Sequence, residues 1–222
     1  MSQTKDEIIS KHLKARGNLD SLKNLKTLVI VGNIQTSGVD LPMVYMKKMP
    51  SKIRFQVDLN GKTAVTVFDA DSGWIADPTS GNMIPKKLSP GEVSQKKPLI
   101  SYLMVFFDDL LLTCPRNIIT YDGIEKQGNH YAYKLNVSIA DGTKICYYID
   151  TKNFIDYTHK VTFPDLNTTF TVSLNNFANS EGLNFPLEIE SKIQEQKITK
   201  LTIKQLKING DIDDSVFIMP KF

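Results

Sequence analysis

Cysteine and histidine are scarce in this sequence, and their scarcity excludes several kinds of site. Among 222 residues there are two cysteines and three histidines. Cys114 and Cys146 lack the spacing of metal ligands and are too few for a disulfide framework, so we interpret them as two buried thiols, with a single bridge as the alternative in an oxidising compartment. His12, His130 and His159 are far apart in sequence, and no H-E-x-x-H pair exists. We therefore expect no metal site and no cofactor.

An excess of charge of one sign is also lacking, as are long apolar runs. The 27 basic and 24 acidic residues leave a net charge of +3, and the lysines are scattered, so nucleic acid is excluded as an expected partner. No run reaches the roughly 18 apolar residues of a membrane-spanning helix; Leu103 to Phe107 is followed at once by Asp108 and Asp109. Met1 to Asp6 is polar, so we expect either a cytosolic chain or one whose export signal has been removed.

Fragments that resemble catalytic or ion-binding motifs are incomplete. Gly61-Lys62-Thr63 matches the end of a phosphate-binding loop, but Gln56 stands where that loop needs glycine and both flanks are strand-like. Asp69 to Gly73 resembles the start of a calcium loop, but no glutamate closes it, so a turn is predicted. We predict a protein that is not an enzyme; a close cluster of His130 or His159 with carboxylates in a cleft would reopen that question.

Two segments have the pattern of helices. Lys5 to Arg16 places apolar residues among charges and is followed by Gly17 as a stop. Pro90 to Leu112 is the second helical segment, and Pro98 predicts a break or a second helix start within it. The apolar residues that recur there at helical spacing are Leu99, Leu103, Phe106 and Leu110.

The rest of the chain alternates between apolar and polar residues, which is typical of antiparallel strands with one buried face. Asn60-Gly61 and Asp141-Gly142 predict two hairpin turns. About ten strands are predicted by this period-2 pattern. Their approximate ranges are 28–34, 41–49, 53–59, 65–67, 133–139, 145–149, 155–163, 168–174, 185–193 and 198–208. The predicted fold class is mainly β with helices (α+β), a single domain over residues 1–222 with a curved antiparallel sheet that the two helices cover. Near the C-terminus, Asp211, Asp213 and Asp214 predict a capped turn.

An aromatic-rich helix is expected to face an aromatic-rich sheet. These residues are Tyr102, Phe106 and Phe107 on the helix and Phe55, Trp74, Tyr147 and Phe170 on the sheet. They either form an ordinary core or leave a cleft between helix and sheet that an apolar ligand can fill.

A series of short motifs follows a fixed order along most of the chain. In chain order they are Ile8 to His12 with Arg16-Gly17 and Leu22, Leu28 to Ile34, Met49 to Arg54, Phe68-Asp69 with Gly73-Trp74-Ile75, Asp77 to Gly81, Tyr133-Lys134-Leu135, Tyr147 to Asp150, and Asp213 to Pro220. In this order the chain resembles the mature region of the periplasmic lipoprotein-carrier superfamily, the LolA- and LolB-like outer-membrane lipoprotein-sorting proteins of bacteria.

The resemblance implies an unclosed antiparallel half-barrel whose concave apolar face is capped by helices and receives acyl chains. Residues 1–17 would form the N-terminal helix, and residues 90–112 become the candidate lid. The implied location is the periplasm, with the export signal removed. No lipobox cysteine stands at the start, so anchoring of the LolB kind is not implied. Arg54 resembles the arginine that follows proline and lysine in this branch, and we interpret it first as an outward-facing strand residue.

The residues expected to line the cleft come from alternate strand positions and from the candidate lid. They are Phe55, Val57, Val67, Trp74, Leu99, Leu103, Phe106, Leu135, Tyr147 and Phe170. The preferred hypothesis is a monomeric, non-enzymatic carrier that holds a lipid or lipoprotein acyl chain, with an envelope membrane surface or membrane-bound proteins as partners. The alternative is an envelope structural or protein-interaction domain whose concavity is filled by its own side chains.

Overall fold

A computed structural model describes residues 3–17, 19–80, 82–103, 111, 114–193 and 196–221. Within these ranges the protein is mainly β, with three α-helices and thirteen strands. The helices are α1 (Lys5–Arg16), α2 (Leu19–Lys23) and α3 (Pro90–Leu103). The strands are β1 (Thr27–Thr36), β2 (Val39–Lys48), β3 (Lys52–Leu59), β4 (Lys62–Asp69), β5 (Ser72–Asp77), β6 (Asn82–Lys87), β7 (Ile119–Gln127), β8 (His130–Ser138), β9 (Lys144–Asp150), β10 (Asp156–Phe163), β11 (Thr168–Ser180), β12 (Leu183–Ile193) and β13 (Gln196–Ile208).

The thirteen strands form one antiparallel sheet that is not closed into a barrel. The strand order is β6-β5-β4-β3-β2-β1-β13-β12-β11-β10-β9-β8-β7, so β6 and β7 are the two edges. The mainly β, antiparallel and unclosed character predicted from the sequence is confirmed. The predicted number of strands was too low, because β5, β6 and β7 were missed.

The chain divides into two compact units. The first, which we call the α1 unit, comprises residues 1–23 and 103–200. The second, the α3 unit, comprises residues 24–102 and 201–222. The prediction of a single domain over the whole chain stays a prediction.

Helix α1 begins and ends where the sequence predicts. Thr4 and Glu7 form a reciprocal capping box, in which the Thr4 amide donates to a Glu7 carboxylate oxygen (2.8 Å) and the Glu7 amide donates to the Thr4 hydroxyl oxygen (3.3 Å). This box satisfies two amides that the first turn of a helix leaves without a partner. Gly17 follows the last turn with a φ of 139°, a conformation that glycine adopts more easily than other residues. The apolar side of the helix is buried through Ile8, Ile9 and Leu13.

Helix α3 also begins at a capping pair. The Ser89 amide donates to the Glu92 carboxylate (2.8 Å), and the Glu92 amide donates back to the Ser89 hydroxyl oxygen (3.3 Å). The predicted break at Pro98 was wrong, because the helix continues through it to Leu103. A proline removes one backbone donor, and the neighbouring turns of a helix can span that single loss. Most of the predicted helix beyond Leu103, including Phe106, lies outside the described residues.

The predicted turns are confirmed. Asn60 and Gly61 have φ angles of 57° and 83° between β3 and β4, the left-handed pair that a two-residue hairpin requires. Asp141 and Gly142 lie in the connection from β8 to β9, where the Asp141 carboxylate accepts from the Thr143 amide (2.8 Å). The acidic fragment at residues 69–73 is the tight turn between β4 and β5.

Candidate functional site

Strand pairing separates the sheet of the α3 unit into two faces. Residues directly opposite each other on paired strands point to the same side, and successive residues along a strand point to opposite sides. One face, which we call the α3 face, carries Leu28, Ile30, Met43, Tyr45, Lys47, Ile53, Phe55, Val57, Phe68 and Ile75. The other, the tail face, carries Lys48, Lys52, Arg54, Gln56, Val65, Val67 and Trp74.

Leu88, two residues before α3, and the helix itself contact the α3 face and an adjoining turn. The Leu88 side chain is 3.3 Å from where a Cβ on Gly73 would stand, and Gly73 pairs with Phe68 on this face. The Lys97 ammonium of α3 donates to the Ala70 carbonyl (2.7 Å) in the adjoining turn. Together these contacts hold the helix across one end of the face.

Burial on the α3 face falls from one end to the other. The row that contains Leu28, Ile53 and Phe68 is buried. Further along the same strands, large apolar side chains are only half-buried. These half-buried residues, which we call the apolar row, are Ile34, Leu41, Phe55, Val57, Leu59 and Ile75. Contiguous apolar surface of this kind is typical of a binding site for an apolar partner.

A lysine interrupts the buried part of the α3 face. Lys47 is 7% exposed and pairs with Leu28 on β1 and with Ile53 on β3. Burial, and secondarily the charge of Lys97, lowers the pKa of the Lys47 amine to about 8. Sequence reasoning missed this residue, although it follows Met43 and Tyr45 in the period-2 pattern of β2.

The predicted lining residues of the α3 unit do not share one surface. Phe55 and Val57 are half-buried on the α3 face, and Leu99 is half-buried on α3. Val67 pairs with Arg54 rather than with Phe55, so Val67 and its own partner Trp74 lie on the tail face. The alternation within one strand shows which of its residues share a face. It does not show which residues of the neighbouring strand lie on that same side of the sheet, since that depends on the register of pairing.

The tail face is covered by the C-terminal segment. Phe217 belongs to a short 3₁₀ helix at residues 214–217 and packs with Val65, Val67 and Trp74. The Trp74 indole N–H donates to the Phe217 carbonyl (2.9 Å). The predicted capped turn is confirmed, because the Asp213 carboxylate accepts from the Ser215 amide (2.7 Å). The chain itself therefore occupies this side of the sheet.

Arg54 lies beneath the same segment. Its guanidinium donates to the Val216 carbonyl (2.7 Å) and lies 5.8 Å from the centre of the Trp74 ring. Burial lowers the pKa of this guanidinium from its ordinary value. Arg54 is a strand residue that faces away from Phe55, and on that side it holds the C-terminal segment on the sheet.

In the α1 unit, the predicted lining residues lie together on one face. Leu135 and Tyr147 are direct cross-strand partners, and both are buried. Phe170 is on the same face through the pairs that join β8, β9, β10 and β11, and it is half-buried. Its ring meets that of Phe163 edge-on at 5.6 Å. Two of these three side chains are therefore part of a packed core.

Four buried polar side chains connect α1 to this face. The Asp156 carboxylate accepts from the Arg16 guanidinium (3.2 Å), lies 3.9 Å from the His12 ring nitrogen, and closely contacts His159 Nε2. His12 Nδ1 also lies 2.9 Å from the Phe154 carbonyl. Burial raises the pKa of Asp156, but Arg16, His12 and His159 outweigh it and hold that pKa below its ordinary value. The cluster is fully buried, so it does not offer a cleft in which a substrate could reach His159.

A second histidine–carboxylate pair does lie in a cleft. His130 Nδ1 is 3.3 Å from Asp150 Oδ2, at a cavity of about 240 Å³ that Tyr148, Tyr157 and Thr158 also line. The other Asp150 oxygen accepts from the amides of residues 152 and 153. Asp150 thus orders the loop after β9 as well as contacting the imidazole. The pair is an ion-pair contact at an exposed imidazole, and the Tyr157 hydroxyl beside it accepts from Asn153 Nδ2 (2.8 Å). A single carboxylate at His130 is not the cluster of carboxylates that would reopen the question of an enzyme.

The two cysteines are free and half-buried. The prediction of two separate thiols is confirmed, but they are less buried than expected. Burial raises the pKa of both thiols.

Within the described residues, no group of three His, Cys, Asp or Glu side chains is placed to hold a metal ion. The same part of the chain has no helix long and apolar enough to span a membrane.

Comparison with solved structures identifies relatives of the fold. A LolA superfamily protein from Nitrosomonas europaea matches with a TM-score of 0.61 and 13% identity over 98% of each chain. An outer membrane lipoprotein-sorting protein domain from Vibrio parahaemolyticus matches with a TM-score of 0.60 and 12% identity over 95% of this chain and 94% of that one. A DUF1329 family protein from Desulfovibrio piger matches with a TM-score of 0.61 and 10% identity over 98% of each.

Sequence comparison detects none of this likeness. No family model matches the sequence, and no curated protein matches it. At identities of 10–13% the solved structures show the fold alone. The resemblance inferred from the order of short motifs is therefore confirmed at the level of the fold: the chain has the architecture of LolA superfamily and outer membrane lipoprotein-sorting proteins.

Proposed function

We propose that this protein is a non-enzymatic carrier that binds a lipid or lipoprotein acyl chain on the apolar row of the α3 face. The observation that carries the proposal is the set of large apolar side chains left half-buried there, on a sheet whose opposite face the C-terminal segment already covers. The name of the Vibrio protein, which refers to lipoprotein sorting, supports a lipid ligand by analogy of fold. The proposal includes the periplasm as its compartment and an envelope membrane or membrane-bound protein as donor or acceptor.

The apolar row can supply the free energy for such binding. Each methylene removed from water contributes about 0.8 kcal/mol, so ten buried methylenes contribute about 8 kcal/mol before the costs of association. Since an affinity of about 1 μM requires about 8 kcal/mol net of those costs, a ligand bound at that affinity has to bury more than ten methylenes or gain polar contacts as well. Among the residues predicted from the sequence, we propose that Phe55 and Val57 are part of this site and that Leu99 of α3 flanks it. The side chain of Leu103 and all of Phe106 lie outside the described residues, and a ligand role for the remaining lining residues stays a prediction.

The test is uptake of a fluorescent fatty acid by the wild-type protein and by two matched variants. Val57→Asp places a charge on the α3 face, whereas Val44→Asp places one on the opposite face of the neighbouring strand; both valines are half-buried. We expect Val57→Asp to lose uptake and Val44→Asp to keep it, with circular dichroism confirming that both are folded. Equal uptake by the two folded variants would remove the α3 face from the proposal. Failure of the wild-type protein to take up the probe would favour the interaction-domain alternative.

A further inference from the structure

The sheet of the α1 unit has a polar groove on the face opposite the one that carries Leu135 and Tyr147. The groove, which we call the outer groove, has a volume of about 470 Å³ and lies across strands β8 to β11. Lys134, Lys144 and Lys160 line it together with hydroxyl, amide and thiol side chains. None of the described residues that line it is acidic. A groove that collects cations and neutral hydrogen-bond donors has the composition of a site for an anion.

Strand register places the three lysines around one residue, Cys146. Lys160 on β10 pairs directly with Cys146, and Lys144 is two residues away on the same face of β9. Lys134 on β8 pairs with Tyr148 and is therefore diagonal to Cys146. Directly opposed Cβ atoms are about 5 Å apart and diagonal neighbours about 7–8 Å, so all three long side chains can reach the space above this thiol. Burial raises the pKa of Cys146, and the charges of Lys134 and Lys160 act in the opposite direction.

Tyr148 forms the base of the outer groove. Only 3% of this residue is exposed, and the Lys160 ammonium is 5.2 Å from the centre of its ring. An enclosed aromatic ring at its base makes the groove a recess rather than a flat surface. Among the lining residues, the hydroxyls of Thr162 and Thr169 share a hydrogen bond (2.9 Å). Since only one of them donates in that bond, the other keeps its hydrogen for a further acceptor.

The positive charge of the groove is only partly balanced within the chain. The Lys134 ammonium is 3.2 Å from a Glu125 carboxylate oxygen, and Asp122 also acts on Lys134 through space. Lys144 and Lys160 form no ion pair with any residue that the structure describes. The surplus of positive charge is therefore at these two lysines, which line the same recess.

We propose that the outer groove binds a phosphate group, which the ammonium groups of Lys134, Lys144 and Lys160 hold above Cys146. At neutral pH a phosphate monoester carries a charge of about −1.5 to −2 and presents three acceptor oxygens, whereas a carboxylate has a single charge and fewer oxygens. Three ammonium groups with hydroxyl donors beside them match the phosphate better. The phosphate belongs either to a lipid head group or to a soluble phosphate ester. The outer groove and the apolar row belong to different units, so this inference stands whether or not the row binds an acyl chain.

Two binding measurements test for the phosphate and distinguish its sources. Equilibrium dialysis at low ionic strength measures binding of radiolabelled glycerol 3-phosphate and its displacement by inorganic phosphate, glycerol or sodium chloride. Co-sedimentation measures binding to phosphatidylcholine vesicles with and without phosphatidic acid, which adds a phosphate monoester head group. Displacement by phosphate but not by glycerol would assign a soluble ester, and binding only to vesicles with phosphatidic acid would assign a lipid head group. Binding in neither arm, or displacement by sodium chloride as effective as by phosphate at equal ionic strength, would overturn the inference.

The half-buried Cys146 reports whether the phosphate lies in the outer groove. The protein is labelled with N-ethylmaleimide, and each cysteine is followed separately by peptide mass spectrometry. Because only the unoccupied groove reacts, a ligand at about ten times its dissociation constant should slow labelling of Cys146 about tenfold. Labelling of Cys114 should continue unchanged. Equal slowing of both cysteines would contradict the location of the site.

Lysine variants measure the contribution of single charges. Lys160→Gln and Lys144→Gln each remove one ammonium group, so each should raise the dissociation constant about tenfold, the effect of one charge-assisted contact. The matched control is Lys192→Gln, because Lys192 lies in the same cross-strand row as Lys160 through Thr171 but contacts Glu190 (3.5 Å). This variant should bind phosphate like the wild-type protein. Lys144 is exposed, so its replacement leaves the fold intact, and unchanged affinity in Lys144→Gln would contradict the inference even if Lys160→Gln failed to fold.

Discussion

Each unit buries charged groups against an apolar sheet face, but the two differ in how the charges are balanced. In the α1 unit, the Asp156 carboxylate is surrounded by Arg16, His12 and His159. In the α3 unit, Lys47 is acted on by Lys97, a charge of its own sign. The first arrangement has its counter-charges within the chain and attaches a helix to a packed face. The second places a buried amine with a lowered pKa on the same sheet face as the half-buried apolar row.

The largest expected effect comes from removing the carboxylate of the balanced cluster. Asp156→Asn leaves the buried Arg16 without its counter-charge, so we expect the free energy of unfolding to fall by about 3–5 kcal/mol at pH 7. Urea unfolding followed by circular dichroism measures it. A loss below about 1 kcal/mol would show that Arg16 is not buried as described.

The same cluster predicts a dependence on acid. The pKa of Asp156 is lower in the folded protein than its ordinary value of 3.8. The stabilisation is therefore fully present above that ordinary value and is lost as pH falls toward the lower folded pKa. Urea unfolding at successive pH values below 4 should show wild-type stability falling more steeply than that of Asp156→Asn. Parallel curves for the two proteins would contradict the assignment.

Lys47 should have the opposite effect on stability. The folded pKa of Lys47, about 8, lies below its ordinary value of 10.5, so the folded state disfavours the charged amine. The cost is fully present below pH 8 and disappears as pH rises from 8 to 10.5, where the unfolded chain binds more protons. Lys47→Met should therefore raise the free energy of unfolding by about 3 kcal/mol at pH 7 and by progressively less toward pH 10.5. A destabilised Lys47→Met at pH 7 would show that the contacts of Lys47 outweigh the cost of burying its amine.

A smaller effect is expected on the tail face, where the chain supplies its own cover. Arg54→Met removes the hydrogen bond to the Val216 carbonyl and the contact with the Trp74 ring. We expect a loss of about 1–2 kcal/mol in the free energy of unfolding. Trp74 fluorescence should report increased exposure of the indole. Uptake of the fluorescent fatty acid should be unchanged, and its loss would indicate that the ligand site extends to the tail face.

The smallest effect is expected at the histidine pair in the cleft of the α1 unit. His130 is largely exposed, with 65% of its side chain accessible, so His130→Ala should alter the free energy of unfolding by less than about 0.5 kcal/mol. Fatty-acid uptake should also be unchanged. A loss of uptake in this variant would move the ligand site from the α3 unit to the α1 unit.

Local features of the fold could be predicted because neighbouring residues determine them. The capping residues around α1 and the Asn60-Gly61 turn are examples. Two of the missed strands have no clear local pattern. Strand β7 is interrupted by a register shift between Tyr121 and Ile124. Strand β6 contains Pro85, and a proline counts against a strand in a sequence pattern. Prediction failed there because pairing with a neighbour, rather than local preference, forms the strand.

The candidate site was predictable only in part, for a related reason. The alternation of β3 correctly groups Phe55 with Val57, but the register with β4 places Val67 on the other side of the sheet. Lys47 was overlooked because a lysine near the end of a strand suggests solvent exposure, although its position in the alternation favours burial. The burial of Arg16 was not predicted either, although this residue follows the buried positions of α1 at helical spacing.

Native mass spectrometry most directly tests the claim that the apolar row binds an acyl chain. The wild-type protein and Val57→Asp are each incubated with dodecanoic acid and sprayed under non-denaturing conditions. We predict a one-to-one adduct with the wild-type protein that is absent from the folded Val57→Asp variant. An unliganded mass for the wild-type protein, or an equal adduct with both proteins, would contradict the account.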